Sequence, residues 1–391
     1  MDQPQLLNIA SDWSYWTEEP PPSVPREVEL PAELRSDIAV VIQGVRRAGK
    51  STLMSQFIAR YGLDRERCLF MNFEDPRLAH ANFETLEELT HAFERRHGSG
   101  AVFFLDEIQT VTGWERWLRS RLDRPRGHRF VVSGSNAHLL GGELGSVLTG
   151  RHLTVEVFPF SFGEYRKVIP DAGVEAYLTS GGFPGMIRSP DHDLLLRTCF
   201  NDVVERDVRS RVGARSTQPL RQLAQMLFET AGSEASLRRL AAAIGVSTDT
   251  AGLYTQALAD AYLCLPCPYF AWSERLRLVR NRKYYPIDTG LRRACITRTG
   301  EDLGKSLEIA TFLELRRRFG RVSYWRGRRE VDFVVSQGSK IVPIQVTWAA
   351  PTERHEQAID EFLAAHPNAA EPVFVDAAAF QSGLPELMPE R

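Results

Sequence analysis

Nine residues, GVRRAGKST at Gly44–Thr52, constrain this chain more than any other stretch. They fit G-x-x-x-x-G-K-[ST], follow the apolar run DIAVVIQ, and precede a segment of helical periodicity. A glycine loop between a strand and a helix lets backbone N–H groups and the helix N-terminus face an anion without Cβ clashes. The pattern therefore predicts a nucleotide cradle made of Gly44, Val45, Arg46, Arg47, Ala48, Gly49, Lys50, Ser51 and Thr52. Lys50 is expected to reach the β- and γ-phosphates of ATP, and the Ser51 hydroxyl to ligate Mg²⁺.

The apolar runs RCLFMNF (67–73), AVFFLDE (101–107), HRFVVSG (128–134) and HLTVEVF (152–158) alternate with amphipathic segments. Near-continuous apolar strands separated by helices predict an α/β fold whose parallel sheet is covered on both faces. Asp106 and Glu107 close the third run. Asp106 is the expected metal ligand, and Glu107 is the residue expected to orient and deprotonate an attacking water. Ser135 or Asn136, at the end of HRFVVSGSN, is placed to hydrogen-bond the γ-phosphate or that water. Arg151 in LTGRH is the candidate for stabilising charge on the transferring phosphoryl group, in the manner of an arginine from a neighbouring subunit; Arg206, Arg209 and Arg211 are its rivals.

A length of 391 residues leaves room for two or three cores. The net charge of -2 gives no general attraction for nucleic acid, so any such contact must be a local patch. No apolar run approaches the roughly 20 residues of a membrane span, and MDQPQLLNIASDW lacks the charged-then-apolar order of a signal peptide. We expect a cytoplasmic protein without a membrane partner. The C-x-x-C of Cys264 and Cys267 sits in apolar AYLCLPCPYF with no second pair, which reads as core packing.

The expected organisation is an extended lead-in (1–33), a P-loop core (34–158), a helical lid or linker (159–215), a winged-helix domain (216–300) and a small α/β domain (301–391). The winged-helix expectation rests on SLRRLAAAIGVSTDTAGLYTQALADAYL (236–263), in which Gly245 ends one apolar helix and Ser247 caps the next. Downstream, ERLRLVRNRKYY reads as a basic β-ribbon. Its Arg275, Arg277, Arg280, Arg282 and Lys283 are the DNA-binding candidates.

In the last region, Glu308 falls on a helix, Asp332 on the strand EVDFVV, and Gln345 and Thr347 on the strand VPIQVTW. Helix-Glu, strand-Asp, strand-E-x-K resembles the PD-(D/E)xK nuclease core, in which carboxylates bind Mg²⁺ and a lysine assists in generating hydroxide. Here Gln345 and Thr347 occupy the E and K positions. A neutral amide is a poorer ligand for a hard cation, and a threonine supplies no positive charge. The domain is therefore expected to be a degenerate, non-cleaving one that still grips nucleic acid, helped by Arg326, Arg328 and Arg329.

Residues 25 to 350 resemble bacterial and archaeal AAA-type ATPases that carry a winged helix and a nuclease-like C-terminal domain. The matching segments are GVRRAGKST, FMNFEDPRL, FFLDEIQ with Trp114 after it, SGSNAHLL, LTGRH with FPFSFGEY, the GGFPG turn, YYPIDTGL, and GKSLE with EVDFVV. The resemblance implies ATPase activity on an AAA-like fold, a role in DNA metabolism, and homo-oligomers. Two functions follow as expectations. The first is a Mg-dependent ATP hydrolase that binds or remodels DNA, with branched and single-stranded DNA as the candidate forms. The alternative is a nucleotide-dependent oligomeric switch gating a protein–protein interaction.

Overall fold

The computed structural model describes residues 2–135, 148–297 and 302–385. The chain divides into two compact units, Met1–Val157 and Phe158–Arg391, described separately below.

The first unit contains α1 (Gln3–Trp13), β1 (Ala39–Gln43), α2 (Lys50–Arg60), β2 (Cys68–Asn72), α3 (Phe83–His97), β3 (Val102–Asp106), α4 (Trp114–Asp123), β4 (Arg129–Gly134) and β5 (His152–Glu156). Its five strands are all parallel, in the order β2-β3-β4-β1-β5. Side-chain alternation loads both faces. Phe103 packs with Phe93 and Phe130 on one side, while Phe104 packs with Phe57 and Phe70 on the other. The first strand in the chain lies inside the sheet, between β4 and β5, so the loop after β1 opens beside the ends of β4 and β3, the usual kind of position for a binding crevice.

The lead-in is not extended throughout. Asp2 caps α1 with a full capping box, and Leu6, Ile9 and Ala10 of that helix are buried in the core with Leu69, Met71, Leu89 and Phe93. Burying Leu6 and Ile9 stabilises the unit by roughly 1.5–3 kcal/mol each. After α1 the chain runs along the outer edge of β2. The Ser14 hydroxyl accepts from the Phe70 amide at 2.9 Å, and Trp16 Nε1 donates to the Cys68 carbonyl at 2.8 Å. Prolines in the following stretch prevent further helix, and Arg26 ends it by donating to the Ala48 carbonyl of the P-loop at 2.7 Å.

The second unit begins with α5 (Phe162–Val168), α6 (Val174–Ser180) and α7 (His192–Asp202), which runs on through a π-helical turn, Val203–Val208. After α8 (Gln218–Glu229) come β6 (Glu234–Ala235), α9 (Leu237–Ile244), α10 (Thr248–Asp260), β7 (Cys264–Cys267), α11 (Glu274–Val279), β8 (Arg282–Pro286) and α12 (Thr289–Cys295). β6, β8 and β7 form a three-stranded antiparallel sheet in that order. Next come α13 (Leu303–Phe319), β9 (Val322–Arg326), β10 (Glu330–Gln337), β11 (Lys340–Val346), α14 (Glu353–Ala365), β12 (Val373–Val375) and α15 (Ala377–Ser382). The sheet order there is β12-β11-β10-β9, antiparallel except for the β11–β12 pair.

Two sequence motifs find their reason in one buried carboxylate. Asp288 caps α12 through the Leu291 amide at 2.7 Å and also accepts from the Gly182 amide at 2.6 Å. A Cβ on Gly181 would lie 2.1 Å from Asp288 Oδ1, and one on Gly290 would lie 2.0 Å from the Ser180 carbonyl oxygen. The GGFPG turn and the IDTG segment are therefore two halves of one close backbone contact. Cys264 and Cys267 are buried on β7 and unpaired, and burial pushes both thiols above their usual range.

Candidate functional site

The loop after β1 turns back over α2. A Cβ on Gly44 would sit 2.0 Å from the Val157 carbonyl oxygen, so only glycine fits there. Gly49 takes a left-handed conformation (φ 97°) at the N-cap of α2, freeing that helix end to face an anion. Lys50 is buried, and its Nζ donates to the Gly44 and Val45 carbonyls at 3.1 and 3.4 Å and lies 3.6 Å from Glu107. Arg46 leaves the cradle and forms a two-pronged pair with Glu74, at 3.0 and 2.8 Å.

Ser51 Oγ donates to Asp106 Oδ2 at 2.5 Å. Parallel strands bring this about: Asp106 ends β3, and β4 and then β1 place the α2 N-terminus beside it. The other Asp106 oxygen accepts from the Ser133 hydroxyl, and Ser133 Oγ in turn accepts from the Glu107 amide at 3.2 Å. Ser133 is a site residue that the sequence reading missed; the signal was a lone polar residue at an inward position of an otherwise apolar strand. Burial, together with the adjacent Glu107, raises the Asp106 carboxyl above its ordinary value. Glu107 is held at φ 53°, a left-handed conformation that costs a non-glycine residue about 1 kcal/mol or more. Gln109 Nε2 donates to Glu107 Oε2 at 2.5 Å. A buried carboxylate facing a serine hydroxyl and a nearby lysine fits a hard divalent cation with phosphate oxygens, because both oxygen ligands already converge.

Ser135 is buried at the end of β4. Asn136 lies outside the described residues. Arg151 lies at the other end of the sheet. Its carbonyl accepts from Ala39 at the start of β1, and its guanidinium pairs with Asp123 at 3.1 Å. The five-residue strand β1 separates it from the P-loop by roughly 16 Å. It cannot reach the nucleotide cradle of its own chain. Its rivals Arg209 and Arg211 pair within the second unit with Glu205 and Asp260, at 3.3 and 3.2 Å. Arg206 lies in the π-helical turn of that unit.

The basic β-ribbon needs correction. Ser273 caps α11, so Arg275 and Arg277 lie on a helix, and only Arg282 and Lys283 lie on a strand. Lys283 is fully buried, sits 4.9 Å from the Tyr324 ring centroid and is paired with Glu330 at 2.5 Å. It is not available to DNA. Arg277 pairs with Glu274, and Arg280 stacks over Tyr269 at 4.9 Å.

The structure brings Glu308, Asp332 and Gln345 together around a cavity of about 340 Å³ that Thr347 also lines. Asp332 stands where the β9–β10 register shifts, between Val331 and Val334. Glu308 accepts from Tyr285 Oη and Lys305 Nζ, both at 2.8 Å. Asp332 Oδ2 accepts from Gln345 Nε2 at 2.6 Å and from the Val346 amide at 2.8 Å. Desolvation, with Glu308 nearby, raises the Asp332 carboxyl to about 7. An amide donor and a lysine ammonium stand where a cation would need lone pairs, so these residues do not fit a divalent metal. No cluster of three or more metal-ligating side chains exists among the described residues.

Residues 36–166 match the model of an AAA domain family, and residues 172–302 and 303–384 match two domains of unknown function, DUF8612 and DUF4143. An uncharacterized protein of Haemophilus influenzae is 29% identical over 343 residues, which cover 82% of this chain and 85% of that protein. One of Methanocaldococcus jannaschii is 28% identical over 366 residues, covering 86% and 80%. Among solved structures, the Orc1 protein of Aeropyrum pernix in complex with DNA is 14% identical, with 66% of this chain and 86% of that one covered and a TM-score of 0.27. Cdc6p of Pyrobaculum aerophilum is 14% identical, with 75% and 82% covered and a TM-score of 0.27. No described helix is long and apolar enough to cross a membrane. The stretch similar to the AAA domain model thus includes the five-stranded parallel sheet of the first unit, while the second unit holds a helical region and two small sheets.

Proposed function

We propose that the protein is a Mg-dependent ATP hydrolase whose turnover is coupled to binding or remodelling of DNA. The observation that carries this reading is the convergence of Lys50, Ser51, Asp106 and Glu107 at the end of three neighbouring strands. Lys50 would hold the β- and γ-phosphates, and Ser51 with Asp106 would hold Mg²⁺, which supplies charge neutralisation at the phosphates. Glu107 would take the proton of the attacking water. Its left-handed backbone and the Gln109 contact fix the carboxylate's direction before substrate arrives. Ser133 would position both acids without touching substrate.

DNA contact is supported by local features of the second unit. The order α8, β6, α9, α10, β7, β8 with an antiparallel sheet supports the winged-helix reading. Arg275 and Arg282, with the arginines of the β9–β10 turn, remain candidate phosphate contacts. The nuclease-like arrangement around Asp332 is read as non-cleaving, since protein donors satisfy its carboxylates. Phosphate release by the purified protein, alone and with single-stranded, duplex and four-way-junction DNA, tests the proposal, with Glu107→Gln as the blank. Several-fold stimulation by one form is expected. Turnover indifferent to all three would sink the DNA coupling.

A second reading, the nucleotide-dependent oligomeric switch, draws on Arg151. Its distance from its own P-loop leaves a neighbouring chain as the place where it can act. Mixing Arg151→Ala with Glu107→Gln subunits separates the cases: recovered turnover supports a shared site, and none counts against it.

A further inference from the structure

The turn between β9 and β10 holds more uncompensated positive charge than its surroundings need. It reads Arg326-Gly327-Arg328-Arg329. Glu361 of α14 fixes it, accepting from the Arg328 amide at 2.7 Å and the Arg329 amide at 3.0 Å. A Cβ on Gly327 would lie 2.4 Å from Glu361 Oε1 and 2.7 Å from the Trp325 ring, so a side chain there would displace Glu361 from the turn. Glu361 holds the turn by its backbone and offsets part of the charge of Arg328 and Arg329, without a direct ion pair to either guanidinium. Arg328, Arg329 and Arg354, in the first turn of α14, make no ion pair with any described residue. All three line one open cavity of about 570 Å³ with Arg326 and Glu330.

The neighbouring acids do not supply the missing charge. Lys283 pairs with Glu330 from inside, Lys305 pairs with Glu308, and Asp332 is satisfied by Gln345 and the Val346 amide. Arg326 leans toward Glu234 at 3.2 Å. Four arginines line the hollow against the single carboxylate of Glu330, which Lys283 already pairs, so positive charge stays in excess there and favours a further anion. Planar guanidinium forks match phosphate oxygens in pairs.

We propose that Arg328, Arg329 and Arg354 form a phosphate-binding cradle on the second unit, built on a turn that Glu361 pins. This rests on, and sharpens, the reading that the second unit holds nucleic acid. The phosphate could belong to a polynucleotide or to a free nucleotide, and the test distinguishes them. The protein used is the full-length Lys50→Ala variant, so that the P-loop does not contribute. Binding of fluorescein-labelled 20-mer oligonucleotides, single-stranded and duplex, is followed by anisotropy across a salt series. Binding of AMP and inorganic phosphate is followed by calorimetry.

Replacing the three arginines with alanine should weaken oligonucleotide binding by about 10-fold or more and lower the salt slope by about 2 to 3. The triple lysine variant should recover only part of this, since lysine keeps the charge and loses the fork. A thermal melt of each variant confirms the fold. Oligonucleotide binding that the triple alanine variant leaves unchanged removes the cradle while DNA binding stands. No oligonucleotide binding, but AMP or phosphate binding that the triple variant abolishes, keeps the cradle and discards the nucleic-acid reading. Binding of none of these ligands overturns the proposal.

Discussion

Asp106 and Asp332 make an instructive pair. Each is a buried carboxylate raised above its ordinary value mainly by desolvation, and each has a lysine close by. What separates them is the chemistry of the groups that satisfy them. Asp106 accepts from two serine hydroxyls, Ser51 and Ser133. A hydroxyl oxygen keeps lone pairs, so Ser51 can rotate its proton away and offer oxygen to a cation. Asp332 accepts from an amide NH₂ and a backbone N–H. A nitrogen donor has nothing to offer a metal. The first carboxylate is held by groups that could turn their oxygens to an ion; the second is held by nitrogen donors, with the Gln345 Oε1 left buried and without a hydrogen-bond partner.

The largest effect that would break this contrast is on the first site. Lys50→Ala should abolish measurable nucleotide turnover, and retained phosphate release would refute the assignment of the cradle. Next, Glu107→Gln should slow hydrolysis by about 10² to 10⁴ while nucleotide still binds. A fall in binding of the same size would instead make Glu107 structural. At the second site, Gln345→Glu exchanges a donor for an acceptor. In an Asp106→Asn background its melting temperature should drop, and millimolar Mg²⁺ should restore several degrees of it. The parent should not respond. A parent that responds equally would show that the amide never excluded the ion.

The smallest effect concerns pH. The folded Asp332 carboxyl titrates at about 7, against 3.8 for the group in its ordinary state. Between those values the folded chain keeps a proton that the unfolded chain releases. Stability from this group is therefore present at low pH and is lost as pH rises from about 4 to 7. Asp332→Asn should flatten that part of a pH series of thermal melts, and an unchanged slope would assign it to another group.

Much of the first site was legible in the sequence because its pieces are local. The loop, its lysine and the acidic pair each sit at a strand end, and apolar runs announce the strands. Ser133 was harder to read, since its only signal is one serine at an inward position of an apolar run. The second site shows the opposite difficulty. Glu308, Asp332 and Gln345 were identified, but their partners Tyr285, Lys283 and Lys305 come from segments with other apparent roles. Lys283 does lie on a strand but faces inward to Glu330, which the alternation of arginines around it gives no sign of, while Arg275 and Arg277 lie on a short helix that Ser273 caps. The register shift at Asp332 leaves no local signature in the sequence. Arg151 matched its motif, but only the sheet shows which end of β5 it occupies.

The segment that seals β2 has a practical consequence. Residues 36–166 carry the recognisable domain, but the stretch before them fills part of its core and covers its outer strand with Ser14 and Trp16. A fragment cut at the recognisable boundary would expose an unpaired ladder of amides and carbonyls along β2. Such an edge invites addition of a strand from another molecule. The part of this chain that can live alone is longer than the part that can be recognised, and a truncation meant to isolate the ATP site would tend to produce associating material instead.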